Sequence, residues 1–129
     1  DLLDAGKSAA RWDAVDFMKP AKTTRSGEVN FTTPQPATIT GIALWWIAEL
    51  VEGIRISTAP DAPRTHWEQL YLPVLEPFVL QPGETLTVRL RSTTSYAKGT
   101  NVTWSFAVKS KAGKERLRQA LDLNKGYIP

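Results

Sequence analysis

Apolar and polar positions alternate with period two over much of the chain. The cleanest run is Glu84–Ser92, where Leu86, Val88 and Leu90 interleave with Thr85, Thr87, Arg89 and Arg91. That period predicts a half-buried strand with the leucine–valine face inward. Asn101–Lys109 repeats the pattern through Val102, Trp104, Phe106 and Val108. Ala37–Leu50 is apolar on both faces at its centre and predicts a long, largely buried strand, with Gly41 marking a bulge or bend. Val29–Thr33 predicts a short strand closed by Pro34 and Pro36, and Ile54 with Ile56 another, joined through a hairpin at Glu52–Gly53. Trp67–Leu75 predicts a strand in which Trp67, Leu70, Leu72 and Val74 share a face and Pro73 requires an edge or a bulge.

Between these runs lie turn signals. Gln81-Pro82-Gly83-Glu84 places Pro where φ near −65° is needed and Gly where φ must be positive. A second turn region surrounds Gly99, and Lys19–Gly27 reads as a solvated loop. Leu2–Phe17 is weakly patterned and fits a short helix or an edge strand, so residues 1–27 form a loosely specified N-terminal segment. From Lys114 the period changes. Leu117, Ala120 and Leu121 fall on one side of a helix, opposite Lys114, Glu115, Arg118 and Gln119, which predicts a C-terminal helix over 112–124. Short strands, turns and one terminal helix predict a mainly β fold: an antiparallel β-barrel or sandwich-like domain with a short C-terminal helix.

Length and composition narrow the class. At 129 residues the chain fits one domain. With 42% hydrophobic and 22% charged residues it can pack a core. The longest apolar run, Gly41–Ala48, is too short for a membrane span, and charges at Asp1, Asp4, Lys7 and Arg11 break up any secretory leader. The expected location is the cytoplasm. The absence of cysteine removes disulfides, thiolate metal sites and thiol nucleophiles, and a single histidine removes a polyhistidine site. The chain starts at Asp1, so a fragment of a longer protein is expected.

The eight glycines include no GxGxxG or P-loop spacing, and no βαβ rhythm would house one. No nucleotide cofactor is expected to bind this chain. His66 with Ser57 or Ser92 and Asp61 could be drawn as a triad, but no nucleophile elbow surrounds either serine. Asp61, Glu68, Glu76 and Glu84 have no spacing that selects a glycosidase pair. Arg89, Arg91, Lys109, Lys111, Lys114, Arg116 and Arg118 could follow phosphates, yet Glu115 and Asp122 interrupt the run and the net charge is only +3. A solvated basic face is the simpler reading, and nucleic acid is not an expected partner. The sequons at Asn30 and Asn101 read as chance without a secretory signal.

One segment combines chemistry with stiffness. Pro60 and Pro63 rigidify a loop that leads into Thr65-His66-Trp67 and then a strand. His66 offers a donor, an acceptor or a charge, and Trp67 a π-face able to receive a guanidinium. The alternative is that Trp67 packs in the core and His66 caps the strand end.

Ile56-Ser-Thr-Ala-Pro-Asp-Ala-Pro-Arg-Thr-His-Trp-Glu-Gln69 resembles the signature loop of the protein arginine N-methyltransferases. Ile42–Leu50 is similar to the strand that precedes that loop, and Leu80–Leu86 to the turn and strand that follow. The similarity runs from about Ala37 to Phe106 and concerns the C-terminal β-barrel domain. It implies that an N-terminal Rossmann-like catalytic domain, with S-adenosylmethionine and paired glutamates, lies elsewhere in the same protein. It implies that His66 and Trp67 sit at a domain junction, His66 pairing with a carboxylate and Trp67 lining the arginine pocket, with Thr65 holding the loop. Glu68 stands where a basic residue is often found and could alter substrate preference. The early segment is too short for the family's helical dimerisation arm, which puts dimerisation in doubt. The resemblance implies a substrate-side domain that is inactive alone and takes a protein or peptide substrate only with its catalytic half. The alternative is a stand-alone protein-binding module, or less readily a nucleic-acid-binding one.

Overall fold

The computed structural model describes residues 1–126. They form eight strands: β1 (Thr24–Phe31), β2 (Ala37–Leu44), β3 (Ile47–Val51), β4 (Ile54–Ser57), β5 (Leu70–Leu80), β6 (Thr85–Ser95), β7 (Gly99–Lys109) and β8 (Glu115–Asp122). The mainly β expectation holds. The strands fall into a four-stranded sheet, β1-β6-β7-β8, and two pairs, β2-β5 and β3-β4. The four-stranded sheet and the β3–β4 pair are antiparallel, and the former has two open ends, so it is not closed into a barrel. Backbone proximity groups the chain into two units, Asp1–Ile39 with the chain from Val74 onward, and Thr40–Pro73.

The first unit holds the four-stranded sheet. Leu86, Val88 and Leu90 of β6 are buried, as are Trp104, Phe106 and Val108 of β7, while their alternating neighbours Arg89 and Arg91 are exposed. The cross-strand pairs Val88–Phe106 and Leu90–Trp104 bring these apolar side chains together on one face. Phe78 of β5 meets Phe106 edge-on, with ring centroids 6.4 Å apart. The β5–β6 turn takes the form its sequence predicts: the Glu84 N–H donates to the Gln81 carbonyl at 3.1 Å, with Gly83 at φ +84°.

Two expectations are corrected here. The C-terminal helix over 112–124 is absent. Residues 115–122 form β8, paired with β7 through Val108–Leu117 and Trp104–Leu121. Leu117 and Leu121 lie four residues apart, a spacing that puts them on one face of a helix or of a strand alike, and the open edge of β7 decides between the two. The end of the tail expected to close that helix, 127–129, lies outside the described residues. The loop expected over Lys19–Gly27 gives way to β1 at Thr24, where Arg25 pairs with Ser92 and Gly27 with Leu90. Gly27 is required there: a Cβ would lie 2.1 Å from the Trp12 carbonyl oxygen. The segment around Trp12–Ala14 is further held against β1 by Arg25, whose guanidinium donates to both Asp13 carboxylate oxygens and, at 2.5 Å, to the Ala14 carbonyl.

The second unit contains the β3–β4 hairpin, whose turn includes Gly53 at φ +81° as the Glu52–Gly53 signal predicts. The single long strand expected over Ala37–Leu50 is interrupted at Trp45–Trp46. Gly41 serves close approach, since a Cβ would lie 2.6 Å from both the Leu72 carbonyl oxygen and the Tyr71 ring. Tyr71 then donates its hydroxyl to the Thr40 carbonyl at 2.6 Å.

Candidate functional site

Thr58 explains both the interruption of the apolar run and the posture of the loop. It is buried, and its Oγ1 accepts from the Trp46 N–H at 3.1 Å. Its backbone N–H donates to the Trp46 carbonyl at 3.0 Å, and its hydroxyl lies 3.4 Å from the same oxygen. Trp46 therefore satisfies both backbone groups on one threonine instead of on a continuing ladder. Just before it, Ser57 Oγ accepts from the Ala59 N–H at 3.1 Å, and Ala62 closes a turn onto Ala59 at 3.0 Å. Proline and these local bonds stiffen the loop without burying it.

At the far end of the loop, Thr65 Oγ1 accepts from the Trp67 N–H at 3.2 Å and donates to the Trp67 carbonyl at 3.0 Å. Thr65 thus closes a local turn on Trp67. Gln69 closes the other side, donating from Nε2 to the Thr58 carbonyl at 2.7 Å. Thr58 is therefore the common anchor of Trp46 and Gln69.

Trp67 is 47% exposed, so it is not a core residue. Its ring meets Trp46 edge-on at 5.4 Å, and the His66 ring lies tilted against it with centroids 3.9 Å apart. His66 and Glu68 are exposed. Trp67 thus has one side backed by aromatic neighbours and a remaining surface open to a ligand or another protein surface. A guanidinium on such a face gains by cation–π attraction. Thr65, His66 and Trp67 are brought together as the loop's order suggests, and Glu68 follows on the same exposed stretch. Trp46 and Thr58 were not singled out from the sequence. The signal was the Ser-Thr pair placed just before a proline loop, where a small hydroxyl can replace a backbone partner.

Other candidate chemistry separates. Among the described residues, no hydrogen bond joins His66 to Ser57 or Asp61, and no group of three His, Cys, Asp or Glu side chains could hold a metal ion. The basic residues spread over β6, β7, β8 and the turn before β8, and three of them are paired: Arg118 bonds Glu115 at 2.7 Å, Arg116 bonds Glu84 at 2.5 Å, and Arg89 bonds Glu28 at 2.5 Å. The Arg116 guanidinium holds the Glu84 carboxyl down at about 2, with help from the Gln81 N–H. No helix among the described residues is long and apolar enough to cross a membrane.

The chain is 38% identical over 52 residues to an arginine N(omega)-methyltransferase of Streptomyces achromogenes subsp. streptozoticus. That match spans 40% of this chain and 14% of the relative. Residues 7–111 match the family described as the arginine methyltransferase oligomerization subdomain, and the chain belongs to that family.

Proposed function

We propose that this chain is the substrate-side β domain of an S-adenosylmethionine-dependent arginine N-methyltransferase, acting in the cytoplasm together with a Rossmann-like catalytic domain of the same protein. The observation that carries the reading is the exposed, internally braced Thr65-His66-Trp67 loop, with Trp67 backed by Trp46, and Trp46 and Gln69 both tied to Thr58. Trp67 gives shape and a π-face to one wall of an arginine pocket. His66, exposed beside it, is free to pair with a carboxylate across a domain junction. Methyl transfer to a guanidinium depends on placement and on partial exclusion of water, and a rigid wall serves both. A protein or peptide is the substrate class the family resemblance favours. Glu68 adds a negative charge beside the pocket, which favours a cationic acceptor.

S-adenosylmethionine is assigned to the catalytic domain. The residues here do not suit it, since the sequence has no glycine-rich phosphate or nucleotide loop. The isolated chain is accordingly expected to be inactive. Calorimetric titration tests the division of labour. The native polypeptide carrying this domain should bind S-adenosylmethionine at micromolar affinity, and the 129-residue chain should give no heat of binding. Binding by the short chain would overturn the proposal. A native polypeptide that neither binds the cofactor nor extends beyond this domain would favour a stand-alone protein-binding module.

A further inference from the structure

Strands β6 and β7 bury one set of alternating side chains, so the other set forms a polar face of the four-stranded sheet. The register lines these residues up in rows across the strands. Ser26, Arg91 and Thr103 share one row, with Asp122 at its end, and Glu28, Arg89 and Ser105 share the next. Together they line a trough of about 820 Å³. A second hollow of about 400 Å³ shares Glu28 with the trough and extends to Thr85, Lys109 and Lys111. Lys111 lies over the Gln81–Glu84 turn, its Cδ 3.8 Å from where a Gly83 Cβ would stand.

Some of the charge on this face is already matched. Arg89 is held by Glu28 and Arg118 by Glu115, and Asp122 accepts from Asn101 at 3.0 Å. Among the described residues, Arg91, Lys109 and Lys111 have no ion-pair partner, and Lys109 is attracted to Glu115 only at longer range. These three exposed cations leave the face with a positive surplus, and they stand at its two ends. Arg91 is six residues along β6 from Thr85, the cross-strand partner of Lys109, which is roughly 20 Å of strand. Between the ends, Thr103 and Ser105 present half-buried hydroxyls. The surplus calls for an anion, and the spacing calls for an extended one. A nucleic-acid strand suits the face poorly. The aromatic residue lining the trough, Trp104, is buried and offers no stacking surface, and Glu28, Glu115 and Asp122 would repel a continuous run of phosphates. An acidic peptide meets the cationic ends with separate carboxylates and the hydroxyls with its backbone. We propose that this polar face is a docking trough for an extended acidic segment of a partner protein, with carboxylates about six residues apart seated on Arg91 at one end and on Lys109 and Lys111 at the other.

Fluorescence anisotropy of a labelled peptide, with the native polypeptide that carries this domain, reads the outcome. The probe has two glutamate pairs centred about six residues apart on a serine–glycine backbone. It should bind, and more weakly as salt is raised. Arg91→Gln should raise the dissociation constant about fivefold, and Arg91→Gln with Lys109→Gln and Lys111→Gln by roughly 30-fold or more. Lys7→Gln removes the same charge from an exposed residue outside both hollows and should change it by less than about twofold. Arg91→Glu should lose this probe and accept one in which lysines replace the glutamate pair at that end, a rescue that a folding defect would not give. Circular dichroism checks that each variant is folded. No binding by the wild type, equal losses from Lys7→Gln and Arg91→Gln, or tighter binding of a single-stranded oligonucleotide of matched charge overturns the proposal. The readout is binding alone, so its outcome is separate from that of the methyltransferase assignment.

Discussion

Replacing Thr58 with valine keeps the shape of the side chain and removes its oxygen. The Trp46 N–H then loses the Oγ1 acceptor at 3.1 Å, and the hydroxyl contact to the Trp46 carbonyl at 3.4 Å goes with it. The backbone bond from Thr58 to Trp46 at 3.0 Å remains. Thr58 is buried and its bond to the half-exposed Trp46 is partly shielded, so an acceptor lost there costs about 1–3 kcal/mol. No cavity forms, because valine fills the same volume. In a domain of this size each kcal/mol lowers the melting temperature by about 3–6 °C, so a fall of roughly 5–10 °C is expected. Thr58→Ser keeps the oxygen and should fall by less than half as much. Thermal melts followed by circular dichroism give the shift, and tryptophan fluorescence reports whether the Trp46–Trp67 contact loosens. A valine variant melting within about 1 °C of wild type would refute the claim that Thr58 anchors the loop.

Further consequences concern the frame around the site. Glu84 is held at about 2 in the folded chain against an ordinary value of 4.5. Its stabilising contribution is therefore complete above about 4.5 and is lost as pH falls from there towards about 2. The side chain of Arg116 is 39% exposed, so screening reduces an ideal figure of about 3 kcal/mol to about 1–2 kcal/mol. Denaturant melts of Glu84→Gln should lose that much stability at neutral pH and show a shallower acid decline; an unchanged pH profile would contradict the pairing. Gly41→Ala forces a Cβ to within 2.6 Å of the Leu72 carbonyl and should cost about 1–3 kcal/mol, measured as a lower denaturant midpoint. Gln119→Ala removes an acceptor shared by the Leu75 and Glu76 N–H groups, at 2.7 and 3.0 Å, and a donor to the Glu76 carbonyl at 2.8 Å. Amide exchange at Leu75 and Glu76 should accelerate by about tenfold or more, and unchanged protection there would count against the clamp.

What could be read from the sequence depended on how locally each feature is determined. β6, β7 and the Gln81–Glu84 turn were plain because alternation and turn chemistry act within a few residues. β8 was misread because Leu117 and Leu121 satisfy both periods, and the choice belongs to β7, its neighbour in the sheet. The start of β1 was hidden for a similar reason. Arg25, Ser26 and Gly27 resemble loop residues until Ser92, Arg91 and Leu90 lie opposite them. At the site, Thr65, His66 and Trp67 were visible as a stiffened, chemically able motif. The roles of Trp46 and Thr58 needed the fold, since a tryptophan inside an apolar run gives no sign that its backbone bonds leave the strand.

The most direct test of the functional reading is His66→Ala in the native polypeptide, with labelled methyl transfer from S-adenosylmethionine to an arginine-containing peptide as the readout. His66 is exposed and its ring packs against Trp67, so the melting temperature should stay within about 2 °C of wild type. A residue that fixes a domain junction should nevertheless cost on the order of a hundredfold in kcat/KM. Full activity in a normally folded His66→Ala variant would contradict the assignment of this loop to the substrate side of a methyltransferase.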